Sequence, residues 1–151
     1  MGAVVVELAD AVTAALNAAG LSLPFTATRG YIPSLGKQDE DVDELAALTV
    51  VVVPSELSFA IMARGGDDFD YVIDVGIFQR IDDEDPASID ALMALAEEIG
   101  DLLRGSAAID ALPARFIMAT NSPIFDQDMM RQQRLFASAW RLTFRQARPK
   151  S

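Results

Sequence analysis

Apolar residues at Val5, Leu8, Val12, Ala15, Leu16 and Ala19 recur at three- and four-residue spacing. This pattern predicts an amphipathic helix at the start of the chain. Gly20, which can take a left-handed backbone conformation, is expected to end it. The period then falls to two. Phe25 to Ile32, bracketed by Pro24 and Pro33, reads as a strand with Thr26, Thr28 and Tyr31 on a pleated surface. Leu48 to Val53 is a β-branched run that predicts a strand buried on both faces. Leu57 to Met62 reads as a second, short strand, followed by a turn over Ala63 to Asp68. Phe69 to Arg80 predicts a long strand. Phe69, Tyr71, Ile73, Val75 and Ile77 share its core face, and Asp70, Val72, Asp74, Gly76, Phe78 and Arg80 share a mixed one.

Helical spacing returns with Ile89, Leu92, Met93, Ala96, Ile99 and Leu103. Asp85 suits the N-cap and Pro86 the first helical position, with Gly105 as the stop. Arg115 to Thr120 predicts a strand, Asn121 to Arg131 a loop carrying apolar residues, and Leu135 to Arg145 the last strand. Residues 146–151 are expected to be a frayed basic tail. The expected fold is α+β: one domain over residues 1–151, with a mostly antiparallel five- to six-stranded sheet and two helices packed on one face.

Composition narrows the function classes. The 151 residues are 51% hydrophobic, enough to build a core. There is no cysteine and no histidine, which excludes disulfides, Cys- or His-built metal sites and every Ser-His or Cys-His hydrolase arrangement. Met1 to Val6 has no basic flank, so it is not expected to be a signal peptide. No apolar run approaches the roughly 20 residues of a membrane span, and a chain made and kept in a cytoplasm is expected.

The net charge is −11, a poor match for a general nucleic-acid binder. Its distribution is polar. Residues 1–130 hold 23 acids and six bases, whereas residues 131–151 hold six bases and no acid, so −17 stands against +6. This predicts either acidic-to-basic contact between copies or basic residues of the last strand satisfying acids of the same chain. Asp74, in the middle of a strong strand, should face water, a base or a partner subunit, and Arg141 and Arg145 are its candidate partners.

Candidate chemistry is sparse. Carboxylates are the only plentiful catalytic groups, at Asp67, Asp68 and Asp70 and at Asp82 to Asp85. Neither cluster fits a calcium loop, and both sit at strand ends where acids serve as turn and capping residues. No phosphate-binding glycine loop is present. Trp140 with Phe136 and Phe144 fits a core stripe better than a base-stacking platform. No catalytic residue, metal or cofactor is expected. The acidic 39–44 loop, with Asp39, Glu40 and Asp41, and the apolar pair Ile124 and Phe125 suit a subunit that meets neighbours.

The order of elements supports a resemblance. A helix with Glu7-Leu8-Ala9-Asp10-Ala11-Val12 precedes Pro24-Phe25-Thr26-Ala27 and the Leu48 to Pro54 strand. Asp70-Tyr71-Val72-Ile73-Asp74-Val75-Gly76 and the Ile89-Asp90-Ala91-Leu92-Met93 helix follow, and Trp140-Arg141-Leu142-Thr143-Phe144-Arg145 closes the chain. Over nearly its full length this resembles the tail terminator (tail completion, minor tail) proteins of long-tailed bacteriophages. That family is recognised by element order, so it assigns no functional residue. The resemblance implies a virion protein that forms a ring, usually a hexamer, on the head-proximal end of the tail tube. Such a ring stops tube growth and offers a face to the head connector or stopper protein, while DNA passes through its lumen. On that reading Asp74, Arg141, Arg145, Ile124 and Phe125 are candidates for the subunit interface. Asp39, Glu40, Asp41, Asp67 and Asp68 are candidates for a loop facing the lumen or a neighbouring ring. A neighbouring neck or head-completion protein, a tube subunit, a small carboxylate-based metal-dependent enzyme and a cytoplasmic adaptor with an exposed acidic loop are the alternatives.

Overall fold

The computed structural model describes residues 3–30, 47–61, 65–81, 86–106, 109, 112–121, 124 and 126–149. In chain order the elements are α1 (Val4–Ala18), β1 (Ala27–Arg29), β2 (Thr49–Ile61), β3 (Gly66–Arg80), α2 (Pro86–Arg104), β4 (Arg115–Asn121), α3 (Gln127–Gln133) and β5 (Leu135–Pro149). The strands form one five-stranded sheet in the order β1-β2-β3-β5-β4. Among the described residues only β1 and β2 run parallel; the other three pairings are antiparallel. The fold is α+β.

The two long helices pack on one face because their apolar stripes match that face of the sheet. Leu8, Val12 and Leu16 of α1 and Leu92, Leu95, Ala96, Ile99 and Leu103 of α2 join Val50, Val52, Tyr71, Ile73, Val75, Ile77, Leu142 and Phe144 in one buried cluster. The period-two reading of β3 is therefore right: Tyr71, Ile73, Val75 and Ile77 are all buried on the helix side. Polar contacts also fix α1 and α2 to the rest. Asn17 donates its amide to the Ala27 carbonyl (2.9 Å) and accepts from the Ala27 N–H (2.7 Å), so the end of α1 holds the start of β1. The Ser22 hydroxyl and backbone N–H both donate to the Glu98 carboxylate of α2, at 2.6 and 2.8 Å. These bonds, the hydroxyl's first, hold the Glu98 carboxyl below its ordinary value.

Several sequence expectations are corrected. The predicted strands Leu48 to Val53 and Leu57 to Met62 are one strand through Ile61. Pro54 pairs with Ile73 and Glu56 with Val72, so Ser55 is an extra, bulged residue. The bulge reverses parity. Val50 and Val52 face the helices before it, and Leu57, Phe59 and Ile61 face that side after it. Pro54 stands beside the bulge, where a missing N–H is tolerated.

The expected turn over Ala63 to Asp68 is shorter than predicted. Gly65 takes a φ of 70°, and Asp67 and Asp68 already lie in β3. Gly20 does not end α1 by a left-handed turn; Ala19 leaves the helix in extended conformation. The Asn121 to Arg131 stretch holds the start of a third helix, because Asp126 caps α3 by accepting from the N–H groups of Asp128 and Met129. Arg134 closes α3 in the left-handed region at φ 51°. Met129 packs with Phe78, Leu135 and Ala137 on the sheet face away from α1 and α2. Residues 146–149 are not a frayed tail. Strand β5 pairs with β3 as far as Pro149, the Arg148 guanidinium lies 4.2 Å from the Phe69 ring centre, and it donates to the Tyr71 hydroxyl. The predicted cap Asp85 lies outside the described residues.

Candidate assembly surface

The distal halves of β2 and β3 extend beyond the helix-covered core as an arm, supported by the end of β5. Strand β1 pairs with β2 at Val50, Val51 and Val52, and among the described residues the outer edge of β2 has no strand partner past that point. On the helix side of this arm Leu57, Phe59 and Ile61 are 58%, 62% and 71% exposed. They contrast with Val50 to Val53 of the same strand, all of them buried. Phe59 stacks on Phe69 at 5.5 Å between ring centres, and Arg148 lies over Phe69. Full burial of a large apolar side chain is worth about 1.5–3 kcal/mol, so this stripe holds a sizeable unused driving force for association.

The opposite edge of the sheet carries a cleft. Strand β4 is the outer strand there, and a second bulge, at Ile117, breaks its register with β5. A cleft of about 550 Å³ opens between β4 and the last turns of α2. Phe116, Ile117, Met118 and Ala119 line one side, Gly100 and Arg104 the other, and Trp140 closes it. Trp140 is fixed by its indole N–H, which donates to the Ala96 carbonyl at 2.8 Å. Its ring occupies the space a Cβ at Gly100 would need, with the nearest ring atom 2.6 Å away. Met118, which pairs with Thr143, is 52% exposed and turns its side chain to the other face of the sheet.

The face without the long helices carries the charge. Arg145 grips Asp70 through two bonds, Nε to Oδ1 at 2.8 Å and Nη2 to Oδ2 at 3.1 Å. These bonds hold the Asp70 carboxyl below its ordinary value; partial burial opposes them and the guanidinium charge adds to them. Arg141 reaches both Asp74 oxygens at 3.2 and 3.4 Å and Glu56 of β2 at 3.4 Å. These carboxylates, Asp74 foremost, raise the affinity of Arg141 for its proton. The charge polarity along the sequence is thus partly satisfied within the chain, as the cross-strand register of β3 and β5 dictates.

The predicted site residues fall into three groups. Asp74, Arg141 and Arg145 come together in this ladder. Asp67 and Asp68 lie on the arm, one on each face, and Ile124 is exposed just before α3. Phe125, Asp39, Glu40 and Asp41 lie outside the described residues. Sequence reasoning missed Glu56, Leu57, Phe59, Ile61, Ile117 and Met118. The signal available was alternation: Leu57, Phe59 and Ile61 interleave with Glu56, Ser58 and Ala60. Alternation gives one apolar face but not whether anything covers it.

Among the described residues no group of three or more Asp or Glu side chains is placed to hold a metal ion, and no helix is long and apolar enough to cross a membrane. The chain matches no protein-family model, and no curated protein matches it.

Proposed function

We propose that this chain is a ring-forming structural subunit, a tail terminator that caps the head-proximal end of a bacteriophage tail tube. The observation that carries the reading is the arm, whose apolar side faces solvent in the single chain. A monomer gains nothing from three large apolar side chains held in register on a projecting strand. A subunit that meets others buries them. The contact surfaces at the two edges differ, so association is heterologous and closes into a ring where the rotation per subunit allows it. The element order carries the resemblance to tail terminators. The acidic balance suits a lumen through which DNA slides without adhering, because carboxylates repel phosphate. The tail tube protein and the head connector or stopper protein are the partners in this reading, with the virion neck as the location.

The test is the mass of the purified protein by light scattering, over a range of concentration and salt, with and without tube protein. A discrete ring, or a monomer that closes into rings only on tube protein, is the expected result. Long open polymers would reassign the chain as a tube subunit, since two complementary edges also permit growth without closure. A monomer that ignores tube protein at every concentration would overturn the assembly reading.

A further inference from the structure

We infer that the arm of one copy docks on the outer edge of β4 in the next, with Phe59 and its neighbours seated in the cleft beneath Trp140. This rests on the assembly reading and names its contact. Three observations fit the two surfaces to each other. Among the described residues both are unpartnered sheet edges, and they lie at opposite ends of the same sheet, so a single contact repeats from copy to copy.

The side chains also fall on matching sides. If the sheet continues from β4 of one copy into β2 of the next, its helix-bearing sides coincide. The apolar side of the arm then meets the cleft between β4 and α2, where Phe116, Ala119 and Trp140 await an apolar filler. Nothing in β2 beyond Pro54 lacks a backbone donor, so this edge can add to another strand.

The charges on the other side agree as well. Arg115 stands opposite Arg145 across β4 and β5, and Arg145 already holds Asp70. Among the described residues Arg115 has no ion pair, and it leaves a positive charge at the β4 edge. Asp68, on the corresponding face of the arm, feels Arg145 of its own chain through space without a salt bridge among the described residues, and it brings the opposite charge. The second copy is therefore the occupant that fits in edge geometry, apolar content and charge.

The absence of cysteine makes the contact directly testable. F59C and A119C are made singly, since Phe59 is exposed and Ala119, which shares the helix side of β4 with Phe116, lines the cleft and takes a cysteine as a small change. A short bismaleimide is then applied to each variant alone and to their equimolar mixture, with circular dichroism confirming the fold. The expected result is a cross-linked dimer in the mixture, at least about tenfold above either variant alone. The double variant should give a ladder of oligomers. Phe59→Asp should weaken association in light scattering roughly tenfold or more, the loss typical of a buried aromatic anchor.

Strong cross-linking of F59C with itself would overturn the proposal in favour of an arm-to-arm contact. An uncross-linked mixture in a preparation that scatters as an oligomer would overturn the proposal while leaving the assembly reading in place. A wild-type protein that stays monomeric throughout would remove both.

Discussion

Strand β2 is two regions in one element. Thr49 to Val53 lies under α1 and beside β1, and its valines are buried on both faces. Past the bulge, Leu57, Phe59 and Ile61 point to the same side as Val50 and Val52, yet they stay in solvent because the helices end short of them. Backbone pairing with β3 is continuous through both halves. What separates them is cover, not secondary structure. The buried half stabilises the fold, and the exposed half is left over for contact with something else.

The largest expected effect would break this contrast if it failed. Ile73→Ala removes a fully buried side chain from the covered region and should cost about 2–5 kcal/mol in urea unfolding. Phe59→Ala on the arm loses an exposed ring and one stacking contact, and should cost under about 1.5 kcal/mol. Equal costs would make the arm part of the core.

An intermediate effect sharpens the comparison at the other edge. Gly100→Ala places a Cβ 2.6 Å from the Trp140 ring. Overpacking of this kind costs about 1–3 kcal/mol, and the better helix propensity of alanine returns about 1 kcal/mol. The net effect should be a loss, with a shift in the fluorescence of the lone tryptophan as its ring moves toward the cleft. A stabilised variant with unchanged emission would show that the Trp140 wall of the cleft is not tightly packed.

The smallest effect concerns the charged face. Asp70 is held below its ordinary pKa in the folded protein, so its ion pair contributes stability above the unfolded carboxylate value near 3.9. That contribution disappears as pH falls through the lower folded value. Asp70→Asn should therefore be modestly less stable than wild type near neutral pH; in acid titrations followed by circular dichroism the difference should start to shrink near about pH 4 and vanish only below the lowered folded value. A gap that persists in strong acid would assign the effect to packing instead.

Much of the architecture is legible in the sequence because burial imposes period. The stripes of α1 and α2 and the alternation of Tyr71, Ile73, Val75 and Ile77 each name a face that must be covered. The bulge at Ser55 is not legible. An inserted residue shifts the apolar phase from Val50 and Val52 to Leu57 and Phe59, which looks like the end of one strand and the start of another. Helix α3 is hidden for a different reason. It spans seven residues, too few to show a helical period, and only the Asp126 cap marks its start. For the candidate site, sequence pairs Asp74 and Arg141 by chemistry, but their meeting depends on the register of strands far apart in the chain. The arm stays unseen as a surface because exposure is a property of what lies above a strand.

The central β3–β5 ladder also sets the tempo of folding. It joins residues as distant as Gly66 and Pro149, 83 positions apart, whereas β2 and β3 follow one another in sequence. The hairpin of β2 and β3 closes a short loop and forms early; β5 must find its place between β3 and β4 after a long search. Until it arrives, one whole edge of β3, from Gly66 to Arg80, stands open beside an apolar hairpin. During synthesis β5 leaves the ribosome after the other described strands. A nascent chain is therefore most prone to pair wrongly with its neighbours just before β5 emerges.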